Sequence, residues 1–251
     1  MKRLSVAISL AMLLAVSAMA QPAARTNGFA SDSQMIPVMG NLPGAGGAVF
    51  QTYVALLNPT STSFPVTVTL HDPNGTKREA VITLAAGEIR TYENFLDAVF
   101  QYQGGGAVTF RTNDSAGGTR NHRFIVNAEV RTSGTRYSTP VPTVDFAPTA
   151  ARSFAPGITV SSATRVNIGC FNQANAANAV VADVYDATGT QKVGTVTLNL
   201  AANAWGQTAL TSAVTNGYVR FTPAAEAACY AVVVDNATSD GRLIQAVEFE
   251  P

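Results

Sequence analysis

The fold is indicated by one stretch in the first half of the chain, Val66-Thr-Val-Thr-Leu-His-Asp-Pro-Asn-Gly-Thr76, and by its counterpart, Val180-Val-Ala-Asp-Val-Tyr-Asp-Ala-Thr-Gly-Thr190. In each stretch, apolar residues recur at every second position before the shared ending Asp-x-x-Gly-Thr. This pattern is typical of a half-buried β-strand that runs into a turn. The two stretches lie 114 residues apart.

The similarity extends to both sides of these stretches. Leu57-Asn58-Pro59 precedes the first, and Phe171-Asn172-Gln173 precedes the second at the same offset. Leu84-Ala-Ala-Gly87 follows the first, and Leu200-Ala-Ala-Asn203 follows the second at an offset of 116. Self-similarity at this separation predicts a duplicated β-module of about 100 residues. We predict modules at 35–149 and 150–251, joined near Ala150 within the proline-rich stretch 140–157.

Other stretches also read as strands. Residues 193–200 and 218–221 alternate as half-buried strands of antiparallel sheet do, whereas 124–126 and 231–234 lack polar alternation and predict central strands covered on both faces. Residues 35–39 predict an additional edge strand. Together these patterns predict an all-β chain of two tandem antiparallel β-sandwiches, with about seven strands each. A barrel remains the alternative.

One segment breaks the strand pattern. Phe95, Leu96, Val99 and Phe100 have helical spacing, which predicts a helical turn that bridges two sheets. In the second half, Leu210 and Val214 repeat the i, i+4 spacing, 114 residues after Leu96 and Phe100.

The N-terminus predicts export. Lys2 and Arg3 precede a mostly apolar stretch, 4–16, and Ala18-Met19-Ala20 supplies a small-residue cleavage pattern before Gln21. We therefore predict a cleaved signal peptide at 1–20 and a flexible segment at 21–34. The alternative is an uncleaved N-terminal anchor, although the apolar stretch is shorter than the roughly 20 residues of a membrane span.

Composition limits the choice of partners. The chain is 47% hydrophobic and 13% charged, and its formal net charge is 0, which becomes −2 when Lys2 and Arg3 are removed. Each predicted module therefore has enough apolar residues for a core. The basic footprint of a nucleic-acid-binding protein is missing.

Two cysteines, Cys170 and Cys229, fall in predicted strands of the second half. In an exported chain we expect them to form a disulfide, and the alternation of the strands suggests an inter-sheet bridge through the core. A pair of buried free thiols is the alternative. The first half has Leu56 at the position that matches Cys170.

Few residues are candidates for catalysis. His71 aligns with Tyr185 across the repeat, so we predict a solvent-facing side chain at the end of a strand. Glu88, Glu93 and Asp97 are close in sequence, and a glycosidase needs two acids that flank the bond it cleaves, but we interpret them as a solvated edge and a helix start. The serine-hydrolase motif Gly-x-Ser-x-Gly is missing. We therefore predict no catalytic residues and no enzyme, with a hydrolase as the less favoured alternative.

The Asp-x-x-Gly-Thr segments resemble the start of a calcium loop, but no bidentate Glu closes either one. Asp accepts hydrogen bonds from turn amides and Gly adopts positive φ, so we predict hairpin turns at Asp72 and Asp186 instead. We predict no metal and no cofactor.

Taken together, Leu57-Asn58-Pro59, the strand 66–70, Gly75, Leu84-Ala-Ala-Gly87-Glu88 and Leu96 resemble a repeat module of bacterial secreted and cell-surface proteins. The resemblance covers about 36–142 and, more weakly, 154–250, where Gln173, Asn203 and the cysteine pair depart from the pattern. It implies immunoglobulin-like β-sandwiches with a structural, adhesive or interaction role.

The sequence thus favours a secreted or periplasmic, non-enzymatic β-sandwich protein whose partner is an extracellular polysaccharide or another envelope or extracellular protein. A carbohydrate-binding module is the main alternative, because such modules present exposed aromatic rings. Among the tyrosines and the single tryptophan, we select Trp205 and Tyr218 as possible ligand contacts.

Overall fold

A computed structural model describes residues 30–44, 47–113, 122–134, 137–145 and 150–249. The predicted signal peptide, 1–20, and most of the predicted flexible segment lie outside these residues. We refer to 30–145 as the first half and to 150–249 as the second half. Each half contains nine strands within the described residues.

The strands of the first half are β1 (Ser33–Pro43), β2 (Val49–Leu57), β3 (Phe64–His71), β4 (Lys77–Leu84), β5 (Ile89–Tyr92), β6 (Gly104–Arg111), β7 (Ile125–Thr132), β8 (Ser138–Val141) and β9 (Val144–Asp145). The single helix of the described chain is α1 (Phe95–Phe100). The strands of the second half are β10 (Ser153–Val160), β11 (Thr164–Asn172), β12 (Asn178–Tyr185), β13 (Lys192–Leu200), β14 (Trp205–Ala209), β15 (Val214–Pro223), β16 (Ala227–Asp235), β17 (Gly241–Gln245) and β18 (Val247–Glu248).

All strand pairs are antiparallel. The second half forms two sheets, with strand orders β13-β12-β15-β10-β18 and β14-β11-β16-β17. The first half has the corresponding orders β4-β3-β6-β1-β9 and β5-β2-β7-β8, and here a short β1–β2 pairing joins the two sheets into one. Every strand pair of the second half therefore has a counterpart in the first.

Each half encloses a core of its own. Val66, Val68 and Leu70 are fully buried in the first core, as the alternation predicted. In the second half, residues of both sheets meet in one core cluster, for example Val180 and Phe221 from one sheet and Ile168 and Ala231 from the other.

The predicted helical turn is confirmed as α1. Phe95, Leu96 and Phe100 are buried, the Asn94 side chain caps the first turn, and Gln101 ends the helix in the left-handed region with φ 49°. The second half differs, because the segment with Leu210 and Val214 is not helical and Val214 begins β15. Both side chains are still buried, so their spacing reflects core contacts of a loop and a strand.

The expectation of an edge strand at 35–39 was wrong. These residues belong to β1, which pairs with β6 along one edge and with β9 and then β2 along the other. Met35, Ile36 and Met39 are consequently fully buried. The alternation did not reveal this position because a bulge between Ile36 and Met39 changes which face the side chains point to.

Both Asp-x-x-Gly-Thr segments form the predicted hairpin turns. The Asp72 carboxylate accepts hydrogen bonds from the amides of Asn74 and Thr76, each at 2.9 Å, and Gly75 adopts φ 78°. At Asp186, the hydroxyl of Thr188 donates to the carboxylate at 2.8 Å and contributes most to lowering the pKa of Asp186. The carboxylates therefore stabilise the turns themselves.

Cys170 and Cys229 form a disulfide, as predicted. The expected inter-sheet geometry was wrong, because the two cysteines are direct partners in the register of β11 and β16, neighbours in one sheet, with Cα atoms 4.1 Å apart. In the first half, Leu56 and Val126 are direct partners in the register of β2 and β7, the counterparts of β11 and β16. The disulfide thus occupies a cross-strand position that an apolar pair fills in the other half.

Candidate functional site

Trp205, a predicted ligand contact, lies where the two halves meet. Its indole Nε1 donates a hydrogen bond to the Tyr230 hydroxyl at 3.0 Å, and that hydroxyl donates to Gln207 at 3.0 Å. The indole also lies against Gly105, where an added Cβ would come within 2.6 Å of the ring. Trp205 therefore helps to join the halves, with its polar atom satisfied inside the protein.

Tyr230 extends from the second half into the core of the first. It is fully buried and belongs to the same cluster as Val54, Phe95 and Phe110. Burial raises the pKa of its hydroxyl, which therefore stays protonated. Val232 of the same strand also packs against the first core, whereas Cys229 and Ala231 face the second. The prediction that residues 231–234 are covered on both faces is confirmed for β16, and the first half supplies one of the covers.

An apolar cleft of about 210 Å³ adjoins Trp205. Residues of both halves line it, including Val38, Leu42, Phe50, Val232 and Leu243. At its rim the Thr139 hydroxyl donates to the Gly241 carbonyl at 2.7 Å, which links β8 to β17. Within the described residues the cleft therefore belongs to the contact between the halves.

His71 is not the solvent-facing residue that the repeat predicted. It is only 5% exposed, and its ring lies 4.6 Å from the ring of Phe171 in the second half. Burial, followed by the nearby charge of Lys77, lowers the pKa of His71 to about 4. The prediction failed because alternation places a residue on the outer face of its own sheet but contains no information on what covers that face.

None of the three acids considered for catalysis is among the described residues that line the groove beside His71. Glu88 pairs with Arg90, and its carboxylate also accepts the Ala85 amide at 2.6 Å. Glu93 pairs with Arg131 at 2.6 Å. The groove beside His71 contains one carboxylate among its described residues, that of Glu79. These contacts fit the interpretation of the acids as a solvated edge and a helix start.

A row of aromatic rings lies on the outer face of the second half. Tyr185 and Tyr218 are cross-strand partners whose rings stack at 5.0 Å with an interplanar angle of 10°. Phe154 lies 6.0 Å from Tyr218 and 6.3 Å from Phe249. Val247, the register partner of Phe154, is 68% exposed, and Phe249 is 61% exposed. We call these five residues, Phe154, Tyr185, Tyr218, Val247 and Phe249, the open aromatic face.

A charged cluster borders this face. Arg220 forms an ion pair with Asp183 at 2.6 Å, and its guanidinium lies 5.0 Å from the centre of the Tyr185 ring. Burial alone would raise the pKa of Asp183, but hydrogen bonds from Arg220, Thr195 and Lys192 outweigh it and lower the pKa. The arrangement holds Arg220 beside the rings in a fixed orientation.

The matching face of the first half is covered. The register pair Tyr185–Tyr218 of the second half corresponds to the pair His71–Ala107 of the first. In the same way, the pair Phe154–Val247 corresponds to Met35–Val144. Met35 and Ala107 are fully buried in a cluster with Phe171, against which Trp205 and Ala228 pack. The second half thus buries these positions in the first half, whereas the equivalent positions of the second half stay partly or fully exposed.

Of the two residues selected as ligand contacts, only Tyr218 lies on the open aromatic face. Sequence reasoning missed Phe154, Tyr185, Val247 and Phe249 as members of this face. The signal available was the alternation itself, because Tyr218 and Arg220 alternate with the buried Val219 and Phe221 and therefore point outward. The same rule applied to Tyr185 next to buried Val184 would have placed two tyrosines on one face.

No family model and no curated protein matches the chain. Across the described ranges, no group of three or more His, Cys, Asp or Glu side chains is arranged to hold a metal ion. In the same ranges, no helix has the length and apolar character that crossing a bilayer requires.

Proposed function

We propose that this chain is an exported, non-enzymatic protein of two tandem immunoglobulin-like β-sandwich modules, and that it binds another protein through the open aromatic face. The observation that carries the proposal is that Val247 and Phe249 are exposed and the three other rings of this face are partly exposed, whereas the equivalent face of the first half is buried. Exposed apolar patches of this kind mark interaction sites on soluble proteins.

Three observations support the tandem arrangement. The sequence repeats at a nearly constant offset, the seven strand pairs of one half have counterparts in the other, and each half has its own core cluster. Short antiparallel strands in two sheets around one core are the architecture of a β-sandwich.

Export is supported by the sequence features of residues 1–20 and by the disulfide between Cys170 and Cys229. Disulfides persist in the periplasm and outside the cell, whereas the cytosol keeps thiols reduced. We therefore assign the chain to the periplasm or the extracellular space.

The ring geometry favours a protein partner over a polysaccharide. A sugar platform requires ring faces that are free to stack on a pyranose, whereas Tyr185 is already engaged by the stacked ring of Tyr218 and by the Arg220 guanidinium. Tyr and Arg beside exposed apolar side chains form the composition enriched at the centres of protein interfaces. Carbohydrate binding is therefore the less favoured alternative, and a retention assay distinguishes it from protein binding.

Site-specific photo-crosslinking tests the proposal. We would replace Tyr218 with p-benzoylphenylalanine in cells that export the chain, irradiate them and identify the adducts. Val81 on β4 is 64% exposed and lies outside the open aromatic face, so the same replacement there is the matched control. We expect a protein adduct from position 218 and none from position 81, and equal labelling at the two positions or none at either would contradict the proposal.

A retention assay separates the carbohydrate alternative. The purified chain would be incubated with insoluble cellulose, chitin and peptidoglycan, and compared with the variants Tyr218→Ala and Val81→Ala. We expect no retention that depends on Tyr218. Retention that Tyr218→Ala abolishes and Val81→Ala preserves would replace the protein partner by a polysaccharide.

A further inference from the structure

We propose that the partner of the open aromatic face is a second copy of this chain, bound head to tail. The inference rests on the proposed function, because it names the occupant of the same face. Inside the molecule, the second half already covers Met35, Ala107 and His71 of the first. Phe154, Tyr218 and Tyr185 occupy the equivalent positions of the second half, and a similar surface of another molecule could cover them.

The cover inside the molecule consists of three apolar residues on neighbouring strands. Phe171 of β11 is the register partner of Trp205 on β14 and of Ala228 on β16. All three contribute to the cluster that buries Met35 and Ala107. The outer face of this sheet is therefore the complement of the face that carries Met35 and His71.

The first half has an equivalent apolar surface on the outer face of its own sheet. Leu57, which lies 114 residues before Phe171, is the register partner of Ile89 on β5 and of Ile125 on β7. We call Leu57, Ile89 and Ile125 the apolar patch. Ile89 is 65% exposed, and Leu57 and Ile125 are partly exposed. The patch thus has the positions and the apolar character of the internal cover, but within the described chain its residues stay exposed or partly exposed.

The molecule therefore leaves two complementary surfaces open, one on each half. Repeat proteins stack so that each repeat contacts its neighbours, and terminal repeats usually carry a polar outer face that ends the stack. Here each outer face carries an apolar patch instead. Because the two surfaces differ, docking one on the other is a heterologous contact, which adds copies in one direction instead of closing as a symmetric dimer.

The test uses two variants that each damage one surface. Val247→Lys places a charge on the open aromatic face and Ile89→Lys places one on the apolar patch, both at positions that are about two-thirds exposed. Val81→Lys on β4, at 64% exposure, is the matched control. All three should fold, because exposed side chains contribute little to the core, and thermal unfolding of each variant verifies this.

Sedimentation of the purified exported chain into the millimolar range gives the readout. We expect the mass of the wild type and of Val81→Lys to rise with concentration beyond that of a dimer, and each interface variant to weaken association at least about tenfold. An equimolar mixture of Val247→Lys and Ile89→Lys should form a discrete heterodimer, because one variant keeps the aromatic face and the other keeps the apolar patch.

A wild type that stays monomeric, or that stops at a dimer while the variant mixture fails to associate, overturns the head-to-tail proposal. The crosslinking at position 218 distinguishes this failure from that of the proposed function. An adduct with another copy of the chain supports the proposed function and the self-association. An adduct only with a different protein supports the proposed function and contradicts the self-association. The absence of any adduct contradicts both proposals.

Discussion

Each repeated motif contains an asparagine whose buried side chain forms hydrogen bonds to the backbone of neighbouring loops. The Asn58 amide donates to the carbonyls of Thr62 and Ala85, each at 2.8 Å, and its oxygen accepts the Thr60 amide at 2.9 Å. Asn172 makes the same kinds of bond with Ala174, Ala176 and Ala201. Both side chains are fully buried, so the motif is a structural one that satisfies loop backbone.

We predict that Asn58→Ala lowers the free energy of unfolding by about 2–4 kcal/mol, because it leaves several buried backbone groups without partners. Asn172→Ala should have a similar effect for the same reason. Urea unfolding measures both. The exposed Asn74, at a turn tip, supplies the control Asn74→Ala. A loss below about 0.5 kcal/mol for the buried variants would show that water replaces these bonds.

The close contact between the Trp205 indole and Gly105 leaves no room for an added methyl group. Gly105→Ala should destabilise the protein by about 1–3 kcal/mol, because the new Cβ would collide with the indole at 2.6 Å. In a Trp205→Leu background the smaller side chain leaves space for that Cβ, so the added cost of Gly105→Ala should become small. Thermal unfolding of the four proteins in this cycle tests the coupling, and additive effects would contradict it.

At the scale of elements, β11 and β16 carry a disulfide at a core-facing cross-strand pair where their counterparts β2 and β7 have two apolar side chains. Cys170 and Cys229 form the disulfide, whereas Leu56 and Val126 pack at the equivalent positions. Two solutions therefore stabilise the same place in the fold, one by a covalent bond and the other by apolar packing.

We predict that replacing both cysteines by Ala costs about 4 kcal/mol, because it removes a crosslink between residues 59 apart. The combination Cys170→Leu with Cys229→Val copies the first half and should recover part of this loss through packing. Chemical denaturation with and without reductant compares the variants. A wild type with the same stability under both conditions would contradict the prediction.

For the whole molecule, the contact between the halves should be sensitive to pH. His71 is buried beneath Phe171, and burial lowers its pKa from 6.5 to about 4. Because the unfolded state binds a proton more readily, stability is complete above pH 6.5 and falls as the pH drops toward 4. The charges that oppose protonation come from Lys77 and Arg111.

We expect the free energy of unfolding to drop by about 2 kcal/mol between pH 7.5 and pH 5. His71→Phe removes the titrating group and should flatten the profile over this range, even if it changes stability at neutral pH. His122→Phe is the control for the other histidine and should keep the drop. Urea unfolding at several pH values measures all three proteins, and a flat wild-type profile would contradict the prediction.

Local patterns were sufficient for much of the secondary structure. Alternation placed Val66, Val68 and Leu70 in the core, the Asp-x-x-Gly-Thr segments gave the turns, and helical spacing at Phe95–Phe100 gave α1. These features depend on neighbouring residues, so the sequence contains them directly. Leu210 and Val214 show the limit, because the same spacing occurs there without a helix.

Which outward faces are covered depends on how the two halves pack against each other. His71 and Tyr185 occupy equivalent positions in similar strands, yet the second half buries His71 and leaves Tyr185 on an open face. Likewise, Trp205 became part of the contact between the halves, while Tyr218 remained on the surface. Alternation along a regular strand indicates which side chains point away from its core, whereas the bulge in β1 interrupts that pattern. Which part of the protein covers those side chains depends on contacts between residues that are distant in sequence. Local periodicity reflects only neighbouring residues, so it does not predict those contacts.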